Sequence, residues 1–342
     1  MNVLLIGGIG LGHLPRGGEE YKNQVLLRKL QEHGSCTAID TVNWKRDPGV
    51  MLQIFYHIFF RTYDNILISA SSKSVYQLLR LLRHFPSLMR KTSYFVIGGY
   101  FPEAIEKGIY KADCYRKLKA VVLEGKILQE PLLKAGLTNT VIIPNFKFFP
   151  EVSLPERSSA VCRFVYLSKI CREKGAHLVL EAVAGLNREG LEQQFEVDMF
   201  GVMDEGYREE FFAALSPNVR YKGLIDLIND TTAAYKELAA YDCLLFPTRW
   251  KGEGFPGVVI DSFVAGLAVI ATDWNMNREL VIEGETGFMI EPENAAQLAA
   301  SMKKLMNDRT LLSAMGKQAR EAAPNYHING VWPAIKNVLE AR

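Results

Sequence analysis

The sequence predicts an α/β protein made of two doubly wound, Rossmann-like domains. Three observations lead there. A chain of 342 residues exceeds one domain of ordinary size. Short β-branched runs alternate with amphipathic stretches from end to end. One break, residues 145–159, interrupts the alternation with Pro150, Pro155 and three serines. The expected domains are 1–150 and 151–320, followed by a helical segment, 321–342, that can return to the first. Apolar residues make up 48% of the chain and charged residues 23%, which supplies a core and excludes disorder and small disulfide scaffolds.

In the first half, strands are expected at 3–6, 37–39, 66–68, 95–97, 120–123 and 141–143. In the second half they are expected at 164–167, 196–200, 219–221, 243–246, 268–271 and 287–290. Most are continuous apolar runs, as parallel strands buried on both faces require. Helical periodicity marks 20–32, 74–84, 175–186, 207–215, 233–239 and 294–307. Doubly wound sheets bind ligands at the carboxyl ends of their strands, so two such domains facing one another imply a cleft.

Five cysteines (36, 114, 162, 171, 243) form no C-x-x-C pair, which fits reduced thiols in a cytoplasmic protein. Residues 48–60 carry no charge but are too few to span a bilayer, which takes about 20 apolar residues. The start, Met1-Asn2 before Val3, has no basic segment, so a secretory signal is not expected. The six histidines are scattered without ligand spacing, and no metal is expected. Walker A, H-E-x-x-H, G-x-S-x-G and D-x-D patterns are all missing from the sequence.

Charge is polarised. Residues 1–150 hold 20 Lys and Arg against 11 Asp and Glu, a balance of +9, whereas residues 151–342 hold 20 against 27, a balance of −7. Such polarity suits a first half that faces an anionic partner, and equally two halves that attract each other; both can hold.

Three segments could carry chemistry. The first is the loop Gly7-Gly8-Ile9-Gly10-Leu11-Gly12 through Gly17-Gly18, between a strand and a helix, where backbone N–H groups can approach a phosphate. Its G-x-x-G-x-G order, and the Pro15-Arg16 pause, depart from a dinucleotide fingerprint that would use Asp40 on a ribose. The second is Lys169-Ile-Cys-Arg-Glu-Lys174-Gly175, two cations at a strand end that suit a diphosphate. A solvated lysine-rich turn is the alternative. The third runs from Pro247 to Gly266. It presents Glu253, then Phe255-Pro256-Gly257-Val258 opening a helix, then Asp261. Carboxylates on both sides of a helix N-terminus offer hydroxyl acceptors around an anion site. For Asp261 the plain alternative is a charge that favours the helix N-terminus.

At these residues the chain resembles the retaining glycosyltransferases of family 4, which have the GT-B fold. Glu253 and Asp261, with seven residues between, match the family's E-x7-E element. Lys169 and Lys174 match its cationic phosphate pair, Gly17-Gly18 its glycine-pair loop, and Pro144-Asn145 the element before its interdomain crossover. Ala268 through Asp273, Arg278-Glu279 and Gly284 to Gly287 follow the same pattern. The resemblance covers the second half fully and the first in outline. Asp261 stands where the family usually has Glu, Lys169 where it has Arg, and the segment Phe95 to Tyr100 lacks the histidine many members carry.

The resemblance implies a GT-B enzyme that moves a hexose from a nucleotide diphosphate sugar, UDP-sugars favoured, to a saccharide or lipid-linked saccharide in surface-glycan assembly. It implies retention of configuration, no metal, and no cofactor beyond the nucleotide-sugar co-substrate. Glu253, Lys169 and Lys174 would serve catalysis, and Gly17, Gly18, Phe255, Pro256, Gly257, Val258 and Asp261 the donor. A nucleotide-sugar epimerase on the same fold, a non-catalytic binding protein, and thirdly a nicotinamide dehydrogenase are the alternatives. No nucleic-acid partner is expected. The basic residues Lys73, Arg80, Arg83 and His84 beside an apolar segment, 50–60, suit a cytoplasmic protein that docks peripherally on an anionic membrane. A buried core helix over 50–60 is the alternative.

Overall fold

The computed structural model describes residues 1–15, 17–155, 157 and 161–341. Arg16 and Ser159, and part of the proline-serine break, lie outside the described residues. Two compact units are present, Met1–Phe148 with Tyr326–Arg342, and Phe149–Asn325.

The first unit is built on six parallel strands: β1 (Asn2–Gly7), β2 (Ser35–Asp40), β3 (Asn65–Ala70), β4 (Thr92–Val96), β5 (Ala120–Leu123) and β6 (Thr140–Ile142). Their order in the sheet is β2-β1-β3-β4-β5-β6. Helices α1 (Gly18–His33), α2 (Gly49–Phe60), α3 (Ser72–Leu82), α4 (Pro86–Met89), α5 (Phe101–Glu106) and α6 (Gln129–Lys134) connect them. The second unit repeats the plan with β7 (Cys162–Leu167), β8 (Phe195–Phe200), β9 (Val219–Gly223), β10 (Cys243–Phe246), β11 (Ala268–Thr272) and β12 (Gly287–Ile290). Here the order is β12-β11-β10-β7-β8-β9. Its helices are α7 (Ala176–Arg188), α8 (Arg208–Ala213), α9 (Thr231–Leu238), α10 (Gly257–Val264), α11 (Ala295–Asn307) and α12 (Arg309–Ala322). The last helix, α13 (Ile328–Glu340), belongs to the first unit.

All twelve expected strands are present. Those in the middle of each sheet, such as β3, β4 and β11, are buried at every position, which is why their central residues read as apolar runs, with Asn65, Ser69, Thr92, Ser93 and Thr272 as buried polar residues toward their ends. The edge strands β2, β6 and β9 keep exposed or half-buried positions. In the first unit Val3, Leu5, Leu67, Phe95 and Val122 point to one face and pack with Leu26 and Leu30 of α1 and Ile335 of α13. In the second, Phe164, Tyr166, Val197 and Ile270 pack with Val179 and Val183 of α7 and Met302 of α11.

Residues 50–60 are a helix, but not a buried one. α2 buries Val50, Ile54 and Ile58 at four-residue spacing and leaves Leu52 72% and Phe60 68% exposed. The core-helix alternative is corrected. Helices α5, α6 and α12, absent from the sequence reading, are short or rich in charge and give weak apolar periodicity. Among the described residues, no helix is long and apolar enough to cross a membrane.

Candidate active site

In the second sheet the chain runs outward from β7 through β8 and β9, then returns to the other side of β7 for β10, β11 and β12. The reversal lies between β7 and β10, and doubly wound sheets bind ligands in the crevice at such a point. The loops that leave these two strands carry the lysine segment and the Glu253 segment.

After β7 a 3₁₀ turn, Arg172–Lys174, leads into Gly175 at φ +78°. A Cβ on Gly175 would lie 2.1 Å from the carbonyl oxygen of Pro247, so glycine alone lets the two loops touch. Tyr166, fully buried, donates to the carbonyls of Lys169 at 2.8 Å and Lys174 at 3.2 Å and holds the first loop. The second loop is held by Asn275, whose Nδ2 donates to the Glu253 carbonyl at 2.9 Å, and by Trp274, whose Nε1 donates to the Trp250 carbonyl at 2.9 Å.

Lys174 and Glu253 meet. Lys174 Nζ donates to Glu253 Oε2 at 2.6 Å, and Thr248 Oγ1 donates to the same oxygen at 2.9 Å. Both side chains are mostly buried, the lysine 18% and the glutamate 12% exposed, so the pair is oriented rather than solvated. Both of these bonds go to Oε2, and no hydrogen bond to Oε1 of Glu253 is found among the described residues.

Lys169 goes elsewhere. Its ammonium pairs with the carboxylate of Asp204, in the loop after β8, and both groups are solvent-facing. Their hydrogen bond raises the lysine's pKa and lowers the aspartate's.

Phe255 and Pro256 are buried, Pro256 is the N-cap of α10, and Gly257 and Val258 are its first residues. Helix-opening N–H groups lack intrahelical partners and favour an anion. Asp261 is the fifth residue of α10, past the first turn, 2% exposed, and accepts from the Tyr235 hydroxyl at 2.9 Å. The helix-terminus alternative for Asp261 therefore carries little, and its partner is a side chain of α9. Gly17 and Gly18 start α1 in the first unit, and a Cβ at either meets no atom within 4 Å.

The glycine loop of the first unit has a local purpose for Asp40. That carboxylate accepts N–H groups of Ile9 at 3.0 Å, Leu11 at 2.8 Å and Val42 at 3.1 Å. Burial raises its pKa, and these bonds more than reverse the effect, leaving it below the usual 3.8. The aspartate a dinucleotide site would spend on ribose is spent on the loop. Among the described residues no group of three or more His, Cys, Asp or Glu side chains could hold a metal.

Thr248, Asn275 and Asp204 were not singled out from the sequence. Thr248 stands five residues before Glu253, so its hydroxyl could have been found there. Asp204 is brought to Lys169 by the pairing of β7 with β8, which no local pattern announces.

Residues 161–322 match the family model of glycosyl transferases group 1. Over 178 residues the chain is 25% identical to the capsular polysaccharide biosynthesis glycosyltransferase CapM of Staphylococcus aureus, covering 51% of this chain and 44% of the relative. Over 145 residues it is 27% identical to a phosphatidyl-myo-inositol mannosyltransferase of Mycolicibacterium smegmatis, covering 42% and 36%. The chain thus spans under half the length of these curated relatives. HepE of Anabaena, solved in complex with UDP, superposes with a TM-score of 0.73 at 16% identity over all of both chains. By its sequence the second unit belongs to the glycosyl transferases group 1, on a chain that has the GT-B fold.

Proposed function

We propose that the chain is a retaining glycosyltransferase of family 4, moving a hexose from a nucleotide diphosphate sugar, UDP-sugars favoured, to a saccharide or lipid-linked saccharide in surface-glycan assembly. The observation that carries this reading is the Lys174–Glu253 pair, held by Thr248 at the reversal point of the second sheet. The donor lies on the second unit and the acceptor is taken by the first.

In the reaction the bond from the sugar's anomeric carbon to the diphosphate oxygen breaks, and a bond from that carbon to the acceptor oxygen forms on the same face. The acceptor proton passes to the departing diphosphate. Lys174 and Lys169 stabilise the charge that develops there, and the N–H groups of Gly257 and Val258 receive a phosphate oxygen. Glu253 orients sugar hydroxyls through Oε1, Asp261 serves the ribose, and Gly17 and Gly18 are further donor-binding residues. No metal takes part.

Acceptor access is peripheral to a membrane, with the protein cytoplasmic. Support comes from α2, whose Leu52, Phe55, Tyr56 and Phe60 are exposed, and from Arg61 at its end. An exposed apolar face beside basic side chains suits an anionic lipid surface.

A thermal-shift screen against UDP-, GDP- and ADP-sugars tests the donor assignment. A ligand at 100 times its dissociation constant adds about 2.7 kcal/mol to stability. A shift with one nucleotide class is the expected result, and none with any class would overturn the reading.

A further inference from the structure

In the first unit, Ile6 of β1 and Ile68 of β3 are registered neighbours on the sheet face opposite the α1–α13 core. Above them, between that face and helices α2 and α3, is a cavity of about 450 Å³. This is within the range of ordinary small-molecule pockets, roughly 300–1,000 Å³. It lies at the carboxyl ends of the strands, beside the point where the order β2-β1-β3 reverses.

The walls are apolar, with Ile54 from α2 and Val75 and Leu78 from α3. The rim is open, because Trp44, Met51 and Leu81, which also line the cavity, are 37%, 47% and 46% exposed. Two cations, Lys45 and Lys73, line it too, and no carboxylate does. Neither lysine has an ion-pair partner among the described residues. Thr41, Ser71, Ser74 and Gln77 add hydrogen-bonding groups near the rim, but two exposed ammonium groups beside an apolar wall, with no carboxylate, give the cavity a positive charge that a neutral hydrocarbon or a free sugar does not use. It fits a chain with an anion at its head.

We infer that this cavity binds the head-proximal segment of a long-chain lipid phosphate, with the chain against Ile54, Val75 and Leu78 and the phosphate between Lys45 and Lys73. The inference rests on the lipid-linked acceptor proposed above and names the part of the chain that would hold the lipid. The exposed face of α2 shares Met51 with the cavity rim, so a lipid could enter from the surface on which α2 lies.

Calorimetric titration with decyl phosphate below its micelle concentration is the test, with decanol and inorganic phosphate as probes of the two halves of the ligand. One-to-one binding of decyl phosphate is expected, at least tenfold tighter than either. Lys45→Ala with Lys73→Ala should reduce decyl phosphate to the level of decanol. Leu78→Trp, which fills the cavity, should weaken decyl phosphate at least tenfold while leaving sedimentation with phosphatidylglycerol vesicles unchanged. If Leu78→Trp does not fold, Ala70→Leu fills the cavity from the strand side. Failure of the wild type to bind decyl phosphate, or full binding in a folded cavity-filled variant, would overturn the inference. A parallel titration with UDP reads the second unit. UDP bound without decyl phosphate removes only the lipid site, whereas decyl phosphate bound without any nucleotide removes the acceptor role and the glycosyltransferase reading.

Discussion

At the scale of single residues, the two lysines of one loop have different partners, and that difference has consequences. Lys174 is committed to Glu253 and Thr248, whereas Lys169 is held by Asp204 at the surface. A diphosphate that uses Lys169 must displace Asp204. Exposed ion pairs are weak and easily displaced, so Asp204→Asn should tighten UDP binding by a few-fold at most, read by calorimetry. Unchanged affinity would mean that Lys169 does not meet the nucleotide. Lys169→Ala should slow turnover steeply with little change in melting temperature, since its side chain is half exposed. Tyr235→Phe should lower stability by about 1 kcal/mol, because the buried Asp261 loses a donor. The family resemblance marked Glu253, Asp261 and both lysines as site candidates. It could not show where those side chains point. The seven-residue separation puts Asp261 on α10, but only the packing of α9 against α10 supplies Tyr235.

At the scale of elements, loops at strand ends are fixed by a few backbone contacts. Gly175 is one such point. Gly175→Ala would place a Cβ against the Pro247 carbonyl in a left-handed conformation, so it should lower activity at least tenfold by parting Lys174 from Glu253. Single-turnover rates together with melting temperature would separate this from global unfolding. Asp40 is another. Its folded pKa is depressed, so its contribution is present above the unfolded value near 3.8 and is lost as pH falls through the folded value. Asp40→Asn should therefore destabilise the first unit by about 1 kcal/mol at pH 7. The difference from wild type should shrink steadily below pH 4 in denaturant titrations, and a difference that grows with acid would contradict the tether. The strands were legible because burial on both faces leaves mostly apolar residues at their centres, Ile66 to Ile68 in β3, Tyr94 to Val96 in β4 and Ala268 to Ala271 in β11. Helix α2 was legible as an apolar segment but not as an exposed one, since three buried positions at four-residue spacing look alike in a core and on a surface.

At the scale of the whole molecule, chain order and packing order differ. α13 is last in sequence, yet Ile328, Val331, Trp332, Ile335, Val338 and Leu339 are buried in the core of the first unit. Lys119 also donates to the Leu339 carbonyl at 2.7 Å. Burial of such side chains is worth about 1.5–3 kcal/mol each, and a domain has only about 5–15 kcal/mol in total. Deletion of residues 326–342 should therefore abolish hydrogen-exchange protection of β1 and β3, although they lie at the other end of the sequence. Retained protection would show that α13 is dispensable. Sugar transfer at the Lys174–Glu253 site is the activity we propose. The most direct measurement is NMR of turnover with the nucleotide sugar that shifts the melting temperature and a simple saccharide acceptor, wild type beside Glu253→Gln. A product with the donor's anomeric configuration is expected, and turnover in Glu253→Gln lower by at least tenfold, about 1.4 kcal/mol of barrier, with UDP affinity nearly retained. An inverted product, or wild-type turnover in Glu253→Gln, would contradict the proposal.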